Sequence, residues 1–267
     1  MDDEVRVTYN GNTLRTKFFL DDMGNCFFEV SDDTDNAIPV IFDEINGSLT
    51  VQDERFPGFI ITPVMYDNIY SFTIKIDGHD WYFTNQTEDG TYYFINNYGK
   101  LDKIETAPSA LFTGYEEYGS GRGYLWSRTI PLLKKHLFLG SGADTFVFEF
   151  PQQDYVNLYN YGYETQLVTK PHSLYLQIGV QTGVLSLLSF IAFYLMYFIS
   201  SFKLYIKGQF KTYYSKVGLS IFIGTFSYLI CGIANDSSIT VAPVFWVLIG
   251  LGIAINHKVS LSLKEEV

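Results

Sequence analysis

"LYLQIGVQTGVLSLLSFIAFYLMYFISSF", residues 174–202, contains no charged side chain. A helix rises about 1.5 Å per residue, so about 20 apolar residues cross a hydrocarbon core roughly 30 Å thick. This run is long enough to cross with some tilt. Two more apolar runs follow, residues 217–234 and 239–256, each near the lower limit of a spanning helix. Three such runs in succession, with so few charges, favour membrane spans over the buried helices of a soluble core.

The charges outside the runs give a direction. Lys203, Lys207, Lys211 and Lys216 lie between the first and second runs, and Lys258 and Lys264 lie at the chain's end. The loop between the second and third, "NDSS" at residues 235–238, has no positive charge. Short lysine-rich loops stay in the cytoplasm. The lysine loop and the C-terminus are therefore expected in the cytoplasm, and His172, the "NDSS" loop and everything before His172 outside.

Ahead of the spans the composition changes. Residues 1–120 carry 7 Lys and Arg against 22 Asp and Glu, whereas residues 121–267 carry 11 against 7, for a net charge of −11. An acidic surface excludes nucleic acid as a partner, because binding it needs a basic face. "VRVTYNGNTLRTKFFL", residues 5–20, alternates apolar and polar around a turn at Asn10-Gly11. "NCFFEV", "FIITPV", "YSFTIKI", "DWYFTN" and "TYYFINN" are short, aromatic and β-branched, with Gly/Asp/Asn turns between them. Residues 1–105 read as an acidic, extracytoplasmic all-β module, a small sandwich or curled sheet. Part of it, residues 77–101, is faintly like aromatic hairpin repeats that bind cell-wall components. Rings packed across neighbouring strands explain the same residues, and the repeat occurs barely twice. The fold class is thus mixed: the β module, an external helical loop region over residues 106–173, and three transmembrane α-helices with a short tail over residues 174–267.

Residues 1–15 are acidic and polar, with no apolar stretch to start export. The chain is therefore expected to work with earlier membrane spans, supplied by a longer form of the protein or by another chain. The two cysteines, Cys26 and Cys231, fall in different halves and are not expected to pair. No Cys/His spacing suggests a metal. The D-x-D within "DDTD", residues 32–35, has no nucleotide-binding βαβ pattern around it and reads as a solvated turn.

The external loop region holds the chemistry-bearing residues. "GRGYLWSRTIPLLKKHLFLGSG", residues 121–142, has helical spacing of Leu125, Ile130, Leu133 and Leu137 and closes on Gly140, with Pro131 near the start or at a kink. An aromatic loop then leads to His172, at the mouth of the first apolar run. "SGRGYLWSRTIPLLKKHLFLGSGADTF" followed by "HSLYLQIGVQTGVLS" resembles the O-antigen ligase / O-antigen polymerase (Wzy-type) membrane family. Arg122, Trp126, Gly140, Gly142, Phe146, His172, Tyr175, Leu176, Gln177 and Gly183 follow the order of that family's large external loop. The resemblance covers about residues 119–256 and leaves the β module outside it. Ser173 stands where the family usually has Asn, and at residues 181–183 the acidic residue usual before the Gly is missing.

The resemblance implies transfer of a glycan from a polyprenyl-diphosphate-linked donor to a hydroxyl of a glycan or lipid acceptor, among membrane lipids and with no cofactor. A guanidinium fork matches two phosphate oxygens and keeps its charge, so Arg122 is the first choice to hold the diphosphate and Arg128 the second. Six residues apart, they point about 120° away from each other on a helix and need not share a target. Solvated or headgroup contacts are the competing role for both, favoured by the residues alone but not once the resemblance is taken in. His172 is the expected base for the acceptor hydroxyl, since imidazole exchanges protons near neutral pH; an anchor at the helix mouth is the competing role. Trp126, Tyr161 and Tyr163 are expected to contact substrate, although Tyr also collects at membrane interfaces. His79 falls in a turn, His136 beside Lys134 and Lys135 on an expected solvated or headgroup-facing side, and His257 on the cytoplasmic side. A different class remains open: a non-catalytic, membrane-anchored β module that binds cell-surface polymer or a partner protein.

Overall fold

The computed structural model describes residues 3–207, 210 and 212–265. Lys211 lies outside the described residues, as do the side chains of Lys207 and Lys264. The chain divides into two compact units, Met1–Glu105 and Thr106–Val267.

The first unit is all-β and antiparallel. β1 (Val5–Tyr9), β2 (Asn12–Leu20) and β3 (Cys26–Asp32) form one sheet in that order. β4 (Val40–Asp43), β5 (Ser48–Val51), β6 (Ile60–Tyr66), β7 (Ile69–Ile76), β8 (His79–Thr84), β9 (Tyr93–Ile95) and β10 (Leu101–Asp102) form a second, each strand beside its sequence neighbour. The expected hairpin at Asn10-Gly11 is present, with φ of 46° and 80°; Asp67-Asn68 (46° and 64°) and Asp77-Gly78 (50° and 85°) turn in the same way. Two successive positive φ values match the right-handed twist of the flanking strands, which is why Asn, Asp and Gly occupy these corners. The sheets meet through aromatic rings. Phe18 of β2 lies 5.2 Å from Phe72 of β7, centroid to centroid, and Phe28 of β3 lies 5.5 Å from the same ring. The Tyr92 hydroxyl accepts the Phe18 N–H at 2.7 Å, and Asn85 Nδ2 donates to the Phe18 carbonyl at 2.9 Å, so the backbone of β2 is held where the second sheet covers it.

The "DDTD" turn is a backbone staple. The Asp32 carboxylate accepts from the Thr34 hydroxyl (2.7 Å), the Thr34 N–H (3.0 Å) and the Asn36 N–H (3.1 Å), and pairs with Arg55. These donors, the Thr34 hydroxyl foremost, hold its titration well below the usual carboxylate range.

The second unit is helical. α1 (Arg122–Thr129) runs into a 3-10 turn (Ile130–Lys134); α2 (Phe146–Glu149) and α3 (Tyr155–Asn160) follow, then α4 (Leu174–Gln181), α5 (Val184–Lys207), α6 (Tyr213–Cys231) and α7 (Ala242–Glu265). Pro131, without an N–H, sits where α1 tightens, and the apolar spacing expected to reach Leu137 stops at the turn. Tyr124, Leu125, Trp126, Phe146, Phe150, Leu158 and Val180 make the core under this region.

Among the described residues, three helices are long and apolar enough to cross a membrane: Val184–Ile206, Tyr213–Cys231 and Ala242–Leu263. The first differs from expectation. The run of residues 174–202 is not one helix; it breaks at Thr182 and Gly183, leaving α4 as a separate eight-residue helix. Tertiary bonds make the break. Ser141 N–H donates to the Val180 carbonyl (2.9 Å) and Gly142 N–H to the Gln181 carbonyl (3.0 Å), while Val184 and Leu185 N–H donate to the carbonyls of His136 (2.8 Å) and Leu137 (3.0 Å). The 136–142 segment therefore replaces the helix's own bonding across the break. Gly183 makes the reversal at φ +103°, and a Cβ on Gly140 would stand 2.1 Å from Gln181 backbone atoms. The second span starts at Tyr213 rather than near residue 217, because Thr212 caps it by accepting the Ser215 N–H at 3.1 Å. The third runs past Asn256: the Tyr205 hydroxyl donates to Asn256 (2.6 Å), Asn256 donates to Ser201 (2.7 Å), and Lys258 lies 3.9 Å over the Tyr214 ring. Such polar ties fasten helices where apolar side chains have no water to escape.

Candidate active site

α1 begins at a backbone crossing. Gly121, its N-cap, has φ +81°. A Cβ on Gly123 would meet the Tyr115 carbonyl oxygen at 2.2 Å, so only glycine lets Gly123 and Tyr124 donate to the carbonyls of Tyr118 and Glu116, both at 2.9 Å. Gly-Arg-Gly therefore places Arg122 at the first helical position. Its Nη1 donates to the Gly119 carbonyl at 3.0 Å, and its buried Nε has no hydrogen-bond partner among the described residues. Tyr163 is close by: burial raises its hydroxyl's titration and the Arg122 charge opposes the rise.

Trp126 follows one turn later, four residues on and thus on nearly the same helix face as Arg122. It is buried against Phe112, at 5.2 Å between centroids, and Tyr118, at 6.1 Å. Its indole N–H donates to the His172 carbonyl at 3.3 Å. α1 thereby holds the backbone at the candidate base.

His172 has φ +50°, in the left-handed region that few side chains adopt. Its ring is half-exposed, at 47%, and Nδ1 lies 2.9 Å from Asp236 Oδ2. The other Asp236 oxygen accepts the Ser173 N–H at 3.2 Å. Two further bonds join the same elements: Leu174 N–H to the Gly232 carbonyl (2.8 Å) and Ser237 N–H to Gln177 Oε1 (2.8 Å). The loop between α6 and α7 thus clasps the start of α4, and its one carboxylate, only 9% exposed, faces the imidazole.

Asp236 was not among the residues singled out from the sequence, where "NDSS" served only as a loop free of positive charge. A signal existed: Asp236 is the only acidic residue between Glu164 and Glu265. An isolated carboxylate at the end of a span is expensive to place and calls for a partner. The break at Gly183 also moves His172; it precedes α4 and is separated from the first span by that helix.

Arg128, the second choice for phosphate, turns inward. Its side chain is 6% exposed. Nε donates to Asp154 at 3.1 Å, Glu116 lies at 3.6 Å, and the guanidinium stacks 5.1 Å over the Tyr124 ring. Tyr124 gives its hydroxyl to the same Asp154 oxygen at 3.2 Å; burial first, and that carboxylate second, push its titration far up. Tyr161 stacks on Tyr124 at 5.1 Å and Tyr163 lies at 5.9 Å, so both form one aromatic cluster with it. His136 corrects the sequence reading: it is 9% exposed and its Nε2 lies 3.1 Å from Glu149, not out among solvent or headgroups. His79 begins β8, packed edge-on to Trp81 at 5.0 Å, and His257 is exposed on α7.

A cleft of about 350 Å³ lies along α4 and the α6–α7 loop; Leu174 and Ser237 line it, whereas His172 and Asp236 do not. Its lining mixes polar side chains, Gln177, Gln181, Ser237 and the carboxylate of Asp144, with apolar ones such as Phe245 and Trp246.

A protein-family model described as O-Antigen ligase matches residues 65–191. The match starts inside the second sheet and ends in α5, so it takes in part of the β module, which the sequence resemblance left out, and stops short of α6, α7 and Asp236. No curated protein and no solved structure matches the chain. Arg122, Trp126, His172 and Gly183 all fall within the matched residues, so the O-antigen ligase resemblance expected from the sequence is shown, and the three apolar helices fit a membrane protein.

Proposed function

We propose that this chain carries the transfer site of a lipid-linked glycan ligase or polymerase, on the extracytoplasmic face of a membrane. The observation that carries the reading is the His172–Asp236 pair at 2.9 Å, with the imidazole half-exposed. When Asp236 accepts a hydrogen bond from Nδ1–H, Nε2 keeps its lone pair for an acceptor hydroxyl, and the carboxylate stabilises the imidazolium that forms. As Nε2 takes the hydroxyl proton, the acceptor oxygen bonds to the anomeric carbon of the donor sugar. The bond from that carbon to the phosphate oxygen breaks, and the lipid diphosphate leaves with the electron pair. Arg122, one turn from the tryptophan that holds the His172 backbone, brings a permanent positive charge to the phosphate. The cleft along α4, lined by both polar and apolar side chains, suits a substrate that is part sugar and part lipid. Arg128, enclosed by Asp154, Glu116 and Tyr124, serves the frame of α1 in this reading.

The test is transfer from a lipid-linked donor in membranes. Arg122→Lys keeps a charge but loses the fork, and is expected to weaken donor use strongly. His172→Gln cannot take a proton and is expected to lower turnover about 10²–10⁴-fold while donor binding persists. Near-normal transfer by His172→Gln in protein still inserted in the membrane would remove the base, and with it the catalytic reading.

A further inference from the structure

From the end of the 3-10 turn the chain exposes Lys134 and Lys135, turns His136 inward to Glu149, and then presents three apolar side chains in a row. Leu137, Phe138 and Leu139 are 52%, 76% and 82% exposed. Mobility does not account for this exposure, because the backbone beneath is fixed. The carbonyls of His136 and Leu137 accept the N–H groups of Val184 and Leu185 at 2.8 and 3.0 Å, and the Phe138 carbonyl oxygen stands 2.9 Å from where a Cβ on Gly183 would be. Val184 and Leu185 are the first two residues of the candidate span Val184–Ile206. The apolar triad is therefore fastened to the first residues of that candidate span. Leu185 and Leu188, 55% and 57% exposed, continue the apolar surface down α5.

The order of residues fits a lipid surface. Exposed apolar area beside a span belongs in the acyl region, and two lysines just before it lie within reach of the phosphates, where long ammonium side chains settle. We propose that residues 134–139 are a lipid-inserting loop: Leu137, Phe138 and Leu139 enter the acyl region beside α5, and Lys134 and Lys135 pair with anionic headgroups. The inference rests on the reading that α5 spans a membrane. It has a consequence for the site. The same segment continues into Ser141 and Gly142, which hold the end of α4 by bonds to Val180 and Gln181. Lipid contact at the loop thus sets the depth of α4, whose other end bears His172.

The experiment uses the full chain with Cys26→Ser and Cys231→Ser, reconstituted in vesicles of phosphatidylcholine with one quarter phosphatidylglycerol, or of phosphatidylcholine alone. Single cysteines replace Phe138, Phe193 on α5, or the exposed Asn160, and each carries an environment-sensitive fluorophore. The Phe138 label is expected to be quenched by spin-labelled acyl chains, as the Phe193 label is, and to resist acrylamide, which reaches the Asn160 label freely. Phosphatidylglycerol is expected to deepen the Phe138 label, and Lys134→Gln with Lys135→Gln to abolish that dependence. If the Phe193 label misses the lipid quencher, the membrane reading of α5 fails. If Phe193 is quenched while the Phe138 label is open to acrylamide, or is shielded from both quenchers as under a protein partner, the loop inference is overturned. A phosphatidylglycerol response that survives the glutamine pair overturns the headgroup contact.

Discussion

At the scale of single residues, the candidate site is a matter of one bond. His172 alone, half-exposed and in a left-handed conformation, would be an ill-placed base, free to rotate and to choose either tautomer. Asp236 removes both freedoms by receiving Nδ1 at 2.9 Å while its second oxygen is spent on the Ser173 N–H. Asp236→Asn keeps the shape but removes the preference for a protonated Nδ1. Turnover is expected to fall about 10–100-fold, as for other groups that orient a reacting side chain. The KM for the lipid donor should change little, because Arg122 is untouched. Combined with His172→Gln, the asparagine should add almost nothing, since it acts only through the imidazole. Losses that multiply in the double variant would show that Asp236 merely holds the α6–α7 loop. His172 and Arg122 could be proposed from the sequence because their order relative to Trp126 and the apolar run carries information. Asp236 was not, because 63 residues separate it from Ser173 and only folding brings them together.

Among the elements, the division of the first apolar run decides where the site stands. Nothing in "IGVQTGVLS" lowers hydropathy enough to announce a break, and a pattern-based reading carries the helix straight through. The break is imposed from outside, by the 136–142 segment donating to the end of α4 and accepting from the start of α5. Gly140 is the tightest point of that crossing. Gly140→Ala would put a methyl group 2.1 Å from Gln181 backbone atoms, which no rotamer can relieve. The expected cost is about 1–3 kcal/mol, as for overpacked interiors, seen as a lower thermal midpoint of the purified protein in detergent. An unchanged midpoint would mean that the 136–142 segment does not bear on α4. The expected extent of helix after Arg122 failed for a related reason: Leu137 has helical spacing, but it faces outward once the 3-10 turn rotates the chain.

For the molecule as a whole, charge and hydropathy were the legible quantities. The acidic β-rich first part and the three apolar runs were both plain in the sequence, and both are in the structure. The direct contact of His172 with Asp236 places the mouth of α4 and the α6–α7 loop at the same end of the helices, as loops on one side of a membrane must be. The lysines gathered on the other loop support the proposed orientation. A cysteine introduced at the exposed Ser238, in a background lacking Cys26 and Cys231, should react with an impermeant thiol reagent from outside intact cells. One at Thr212 should react only after the membrane is opened. The reverse pattern would turn the site to the cytoplasm and overturn an extracytoplasmic transfer.

The unit Met1–Glu105 has its own core in Leu14, Phe18, Phe56, Phe59, Phe72 and Ile74, all essentially inaccessible, and its strands pair with one another throughout. Expressed alone it is expected to be soluble, mostly β and cooperative in unfolding. Its pH dependence is set by carboxylates that anchor turns. Asp32, held first by the Thr34 hydroxyl, and Asp89, held first by the Thr87 hydroxyl, both titrate well below their ordinary range. A carboxylate lowered in the folded state binds its proton more readily when unfolded, so its contribution is fully present above about pH 4, the ordinary Asp range, and fades as pH falls from there through the folded value. The thermal midpoint should therefore be flat from pH 7 to about 5 and drop below about 4. Asp32→Asn should lower the midpoint at pH 7 and flatten the acid limb, because the amide loses both the charge facing Arg55 and the titration. A midpoint indifferent to acid, or an Asp32→Asn module with the native acid limb, would show that these turns do not tie the sheets together.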